Sequence, residues 1–155
     1  MMGGAQYLFN DQQGTRRTIT NNQGAIIARH DYLPFGEDLP NTVGMRASTP
    51  GYGGAEAARQ KYAGMERDDA SGMAHTLWRQ YDSVSARWTS PDPYAGSMTL
   101  TEPQSFNRYT YVNNDPVNKV DPTGLALADI GVYQTTNTSV VTVVHRIQTN
   151  AIEVL

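Results

Sequence analysis

The sequence predicts a mainly β protein built from short antiparallel hairpins with short helical turns, and three observations carry that expectation. Only 39% of its 155 residues are apolar, below the usual globular share. It holds 14 glycines and 8 prolines, which suits frequent turns better than long helices. Turn-forming clusters also recur about every ten residues along the first third, the spacing of a meander.

Residues 1–39 read as hairpins. In "YLFNDQQGTRRTITNNQGAIIARHDYLPFG" the clusters "NDQQG" and "NNQG" separate stretches rich in β-branched and aromatic residues. Asn and Gly tolerate the positive φ that tight hairpins require. Residues 40–54, "PNTVGMRASTPGYGG", form a flexible loop by composition, and their glycines match no phosphate-cradling fingerprint. Residues 55–125 then form the main body. Ala, Glu, Arg and Gln dominate residues 55–61, so a helical turn or two is expected there. "GMAHTLWRQYDSVSARWTSPDPY" reads as a hairpin turning near residues 82–86, with Leu77, Trp78, Tyr81 and Trp88 as its buried anchors. "PQSFNRY" reads as a short helix opened by proline. The segment 126–155 is rich in Thr and Val and is expected to supply one or two strands, Val140–Val144 among them.

Composition excludes several kinds of chemistry. A net charge of −3 without a basic run gives no footing for nucleic acid or a membrane surface. The absence of cysteine removes disulfides, thiolate nucleophiles and cysteine metal sites. No apolar run approaches the ~18 residues of a spanning helix. The opening "MMGGAQYLFN" lacks the pattern of an export signal, so any such signal is expected elsewhere. His30, His75 and His145 are dispersed without ligand spacing, and no metal or cofactor is expected. No serine has a nucleophile-elbow context.

Carboxylates beside proline remain: Asp92 in "SPDP", Asp115 in "NNDP" and Asp121 in "DPTG". Asp, Pro and Gly at the first, second and fourth positions favour a type I turn, with the aspartate accepting a backbone N–H. Two carboxylates held close, however, share a proton and can divide general acid and base roles. On residue chemistry alone the turn reading leads for all three, and Asp115 is read as a turn residue throughout.

Four segments in order resemble the RHS repeat-associated core, the C-terminal part of RHS/YD-repeat proteins. They are "DQQGTRRTITNNQGAIIARHDYLPFGE", "YAGMERDDASGMAHTLWRQYD", "ARWTSPDP" and "PQSFNRYTYVNNDPVNKVDPTGL". The resemblance runs from about Tyr7 to Leu125. It implies a β strip that spirals into a hollow shell around a toxin, the core region closing one end. In self-cleaving members two aspartates and an arginine cut the chain just after the leucine of the last motif. Motif by motif, those roles fall on Asp92, Asp121 and Arg79, and the cut falls between Leu125 and Ala126. The chain departs from the family at "QYDSVSAR", where the proline and glycine of a turn are missing.

The implied function is a shell-closing structural module with aspartate-dependent self-cleavage, slow or absent when the chain is alone. The implied partner is an upstream YD-repeat shell, in the same or a separate chain. A secreted or cell-surface location follows from the same resemblance. The 30 residues after Leu125 are fewer than the ~40 that usually sustain a core, and they carry no nuclease, deaminase or transferase motif. The alternative is a non-catalytic, adhesin-like or self-assembling β module, associating through open edge strands. Carbohydrate binding would need Trp78 and Trp88 exposed.

Overall fold

Residues 5–54, 58–133 and 142–147 are described in the computed structural model. Among the described residues the strands form three antiparallel sheets. The first is a meander of β1 (Gln6–Asn10), β2 (Arg16–Asn21) and β3 (Ile26–Arg29). Its two turns share one design. Asp11 accepts hydrogen bonds from the N–H groups of Gln13 and Thr15 at 2.9 and 3.0 Å. Asn21 does the same for Gln23 and Ala25, both at 2.9 Å. Each turn closes on a glycine at positive φ, Gly14 at 76° and Gly24 at 78°, a conformation that costs glycine little.

The second sheet runs β4 (Glu66–Arg67), β5 (Ala74–His75), β6 (Gln80–Asp82), β7 (Arg87–Trp88) in spatial order. The hairpin expected near residues 82–86 joins β6 to β7, with Tyr81 opposite Trp88. It closes without the family's proline and glycine. Ala86 adopts the left-handed conformation at φ 58°, and the Asp82 carboxylate accepts the Val84 N–H at 3.0 Å.

The third sheet places β9 (Ala128–Tyr133) between β8 (Lys119–Val120) and β10 (Thr142–Ile147). Of the expected strand Val140–Val144, Thr142–Val144 belong to β10, and residues 140–141 lie outside the described residues.

Packed aromatic rings form the core. Tyr62, Tyr81, Trp88 and Tyr111 are buried with Met65, Val112, Val120 and Ala128. The Tyr81 and Tyr111 ring centres lie 4.5 Å apart, and Trp88 meets Tyr81 edge-on at 5.4 Å. The Tyr62 and Tyr81 hydroxyls donate to the carbonyls of Pro34 and Phe35 at 2.7 and 2.8 Å. Those bonds fasten the "LPFG" exit of the first sheet to the core. Residues 40–54 contain a 3₁₀ turn at Gly44–Ser48, and Gly51 accepts the Arg29 N–H at 2.9 Å.

Two expectations need correction. Tyr81 and Trp88 are buried, but Leu77 and Trp78 are 80% and 57% exposed. They sit in the tight turn between β5 and β6, and the buried core is completed instead by Tyr62 and Tyr111. Residues 55–57 lie outside the described residues, and 58–61 are not helical. Gln60 instead bridges Glu66, and Lys61 donates its N–H to the Met65 carbonyl at 2.9 Å. Helix propensity without an apolar stripe yields to the anchoring of Tyr62. The proline-led helix is present as a 3₁₀ turn, Pro103–Phe106.

Candidate functional site

The site begins with the turn between β5 and β6. The Thr76 hydroxyl donates to the Arg79 carbonyl at 2.7 Å and accepts the Arg79 N–H at 3.1 Å. That bracket points the Arg79 side chain inward across Trp88, its guanidinium carbon 4.2 Å from the ring centre. Arg79 is 6% exposed, and a buried cation needs partners on every face. It has them. Nε donates to the Gly124 carbonyl, and Nη1 donates to the Arg108 carbonyl at 3.3 Å. Nη2 lies 3.3 Å from Asp121 Oδ2 and 3.5 Å from Asp92 Oδ2.

Two aspartates 29 positions apart in the chain thus meet on one nitrogen. Their Oδ2 atoms lie within about 7 Å of each other, the sum of those two distances. Asp92 is 9% and Asp121 3% exposed. The Asp92 carboxylate caps its own turn by accepting the Tyr94 N–H at 2.8 Å. Asp121 Oδ1 accepts the N–H groups of Gly124 and Leu125 at 2.8 and 3.2 Å and the Thr123 hydroxyl at 3.1 Å. Burial raises the Asp121 pKa above the ordinary carboxylate value, against the lowering effect of Arg79 and of those donors. Burial likewise pulls the Arg79 guanidinium below its usual range, while both carboxylates oppose the shift.

A cleft of about 310 Å³ opens beside these groups. Arg79, Asp92 and Asp121 line it together with Leu125, Ala126 and Leu127. The candidate acids, the candidate arginine and the bond expected to be cut therefore share one cavity. Asp115 stands apart as a turn residue, its carboxylate accepting from the Asn118 amide at 3.0 Å. Among the described residues no group of three or more His, Asp or Glu is placed to hold a metal.

Two supporting roles escaped the sequence reading, which took the glycine of "DPTG" only as a turn former. Arg108 accepts the Asp92 N–H at 2.9 Å through its carbonyl, and its guanidinium donates back to the Asp92 carbonyl. Gly124, at φ 76°, lets the "DPTG" turn settle on Arg79. A Cβ there would fall 2.2 Å from the Thr76 hydroxyl. Both residues lie inside the matched "SFNRY" and "DPTGL" segments, the one signal that marked them.

No protein-family model matches the chain. It is 28% identical over 129 residues to teneurin-1 of Gallus gallus, covering 83% of this chain and 4% of that protein. It is 32% identical over 119 residues to toxin subunit YenC2 of Yersinia entomophaga, covering 77% of this chain and 11% of the subunit. Among solved structures, the Tc holotoxin pore of Photorhabdus luminescens with an aspartate-to-alanine mutation in TccC3 superposes with a TM-score of 0.57. That match has 29% identity and covers 77% of this chain and 5% of the other. The chain spans only a small part of each of these proteins. Its ordered motifs, its antiparallel hairpins and these likenesses make it a member of the RHS repeat-associated core family.

Proposed function

We propose that this chain is the end-closing module of a YD-repeat shell and that its aspartate pair cuts the bond between Leu125 and Ala126. One observation carries the reading: Asp92 and Asp121 converge on a buried arginine in the cleft that Leu125 and Ala126 also line. Asp121, whose burial favours the proton, serves as the acid that polarises the Leu125 carbonyl or protonates the leaving nitrogen. Asp92 takes the proton of the attacking water. The water's hydroxyl joins the Leu125 carbonyl carbon, and the Ala126 nitrogen leaves as an amine. Arg79 holds Asp121 by a charge-assisted hydrogen bond and Asp92 by an ion pair. Acid–base help of this kind contributes about 10²–10⁴-fold per group, enough for one cut in a substrate already held in place.

The shell partner is supported by β1. Tyr7, Leu8 and Phe9 are exposed along it, and its outer edge pairs with no other strand among the described residues. A preceding YD-repeat strand would extend the sheet there and cover those side chains. The likeness to a toxin-complex subunit and to a holotoxin chain supports a secreted or surface setting.

The test is denaturing mass spectrometry of the wild-type chain beside Asp92→Asn and Asp121→Asn, each alone and co-expressed with an upstream YD-repeat segment. We expect the isolated chains to stay intact or to cut very slowly. With the shell present, the wild type should lose residues 126–155 and both variants should keep them. Equal loss in all three would assign the cut to an outside protease. No loss in any, with the shell assembled, would leave a purely structural module. Oligomers forming through β1 in the isolated chain would favour the self-assembling alternative.

A further inference from the structure

The residues that follow the proposed cut are built into the body of the protein. Ala128 is buried in the aromatic core, and Leu127 and Ile130 pack against it. β9 runs antiparallel to β8, with Val120 opposite Ala128 and Lys119 opposite Asp129. The Ile130 N–H donates to the Asn118 carbonyl at 2.7 Å. Among the described residues β8 is an edge strand whose one sheet neighbour is β9, and it leads straight into Asp121. Stripping β9 away would open the backbone of residues 118–120 and uncover Val120, which is 1% exposed.

We propose that residues 126–133 act as a donated strand, so that breaking the Leu125–Ala126 bond nicks the chain without freeing its C-terminal segment. The site of the natural cut rests on the function proposed above; the retention does not. Pairing to a sheet edge supplies main-chain bonds and alternate side-chain seats, the means by which extended peptides are held non-covalently. Hydrolysis adds a second hold. It leaves a carboxylate on Leu125 and an amine on Ala126, which is largely protonated at neutral pH. Both new charges emerge in the cleft that Arg79, Asp92 and Asp121 line, where each has a group of opposite sign. Cutting and release are therefore separate events, and release requires β9 to unpair from β8.

The chain has no cysteine, so Ala126→Cys supplies a unique thiol. Cyanylation followed by mild base then breaks the bond on its amino side without any help from the aspartates. The reagent caps the new amine, so retention in this experiment reports strand pairing, packing and the Leu125 carboxylate without any charge on residue 126, and the proline variant at position 130 isolates the strand's share. We expect two masses under denaturing conditions and one co-eluting species on native size exclusion. Adding Ile130→Pro, which removes the N–H given to Asn118, should speed loss of the C-terminal piece by about tenfold. Separation of the pieces under native conditions would overturn the proposal, as would equal retention with proline at position 130. If Ala126→Cys unfolds the chain, Leu127→Cys moves the break one bond along and reads the same outcome. Absence of self-cleavage in the wild type bears on the proposed function and leaves this result unaffected.

Discussion

Asp115 and Asp121 each precede a proline, six positions apart, and the turns they open have little else in common. Asp115 is half-buried, and its carboxylate accepts from the Asn118 side chain at 3.0 Å while its carbonyl accepts the Lys119 N–H at 3.1 Å. Asp121 leaves β8 directly after the buried Val120 and is itself buried beneath its own turn. There one carboxyl oxygen gathers three donors from residues 123–125, and the other faces Arg79. The Asp-Pro dipeptide specifies a turn in both places. What turns one of them into a chemical site is burial against a cation and a second carboxylate, and neighbouring segments decide that.

The comparison breaks first at Arg79. Replacing it by methionine keeps much of the volume but strips the partner from two buried carboxylates and the donors from the Gly124 and Arg108 carbonyls. Removing one member of a buried ionic cluster typically costs about 3–5 kcal/mol, and we expect Arg79→Met to lower stability by that order in urea unfolding. A loss below about 1 kcal/mol would mean that the carboxylates neutralise by taking up protons instead. Asp115 has no such dependence.

Gly124 gives the next largest effect, with Gly72 as its control. Both have left-handed backbones, φ 76° and 73°, so alanine at either should cost about 1–2 kcal/mol in backbone strain. The control position is otherwise open, with nothing within 4 Å of an added Cβ. At Gly124 the same atom would fall 2.2 Å from Thr76 Oγ1 and 3.2 Å from the Arg79 nitrogen. Overpacking adds about 1–3 kcal/mol. Gly124→Ala should therefore exceed Gly72→Ala in a denaturant series, and equal losses would show that the turn does not press on Arg79.

The same contrast explains what the sequence made legible. Local turn chemistry was readable: Asp11, Asn21 and the two glycines behind them set the meander, and the "YDSVSAR" hairpin closes where its polar residues suggested. The site residues were readable through ordered motifs, because turn chemistry treats Asp92, Asp115 and Asp121 alike. Long-range placement was not readable. Leu77 and Trp78 look like core residues, yet Thr76 brackets Arg79 so tightly that the two between them are pushed into solvent. Arg108 acts on Asp92 through its own carbonyl, a backbone contact for which no side-chain pattern gives a sign. Residues 58–61 had helical composition and became extended because Tyr62 is drawn into the aromatic core.

A smaller effect concerns pH. The folded Asp121 pKa is raised by burial, so its contribution to stability is complete below the unfolded value near 3.8. It declines as the pH rises through the folded value. Asparagine at this position resembles the protonated acid and does not titrate. The stability of the wild type relative to Asp121→Asn should therefore fall as the pH is taken upward from about 4. A difference that grows in favour of the wild type over that window would reverse the sign and identify the Arg79 attraction as stronger than desolvation.

The smallest effect is expected at Asp115. Among the described residues its carboxylate accepts one side-chain hydrogen bond, from an exposed Asn118, and the Lys119 N–H bond to its carbonyl survives any side-chain change. A hydrogen bond that water can replace contributes near the low end of the ~0.5–1.5 kcal/mol range. Pro116 keeps its fixed φ and continues to favour the turn. Asp115→Ala should accordingly cost about 0.5 kcal/mol in urea unfolding, and it should leave the fate of the Leu125–Ala126 bond as in the wild type. Loss of more than about 2 kcal/mol, or a changed cut with the shell present, would mean that the first Asp-Pro turn also carries the second. The most direct route for such coupling is Asn118, which holds both the Asp115 carboxylate and, through its carbonyl, the Ile130 N–H. Asn118→Ala isolates that route, since it removes the Asp115 contact and leaves the bond to β9 in place.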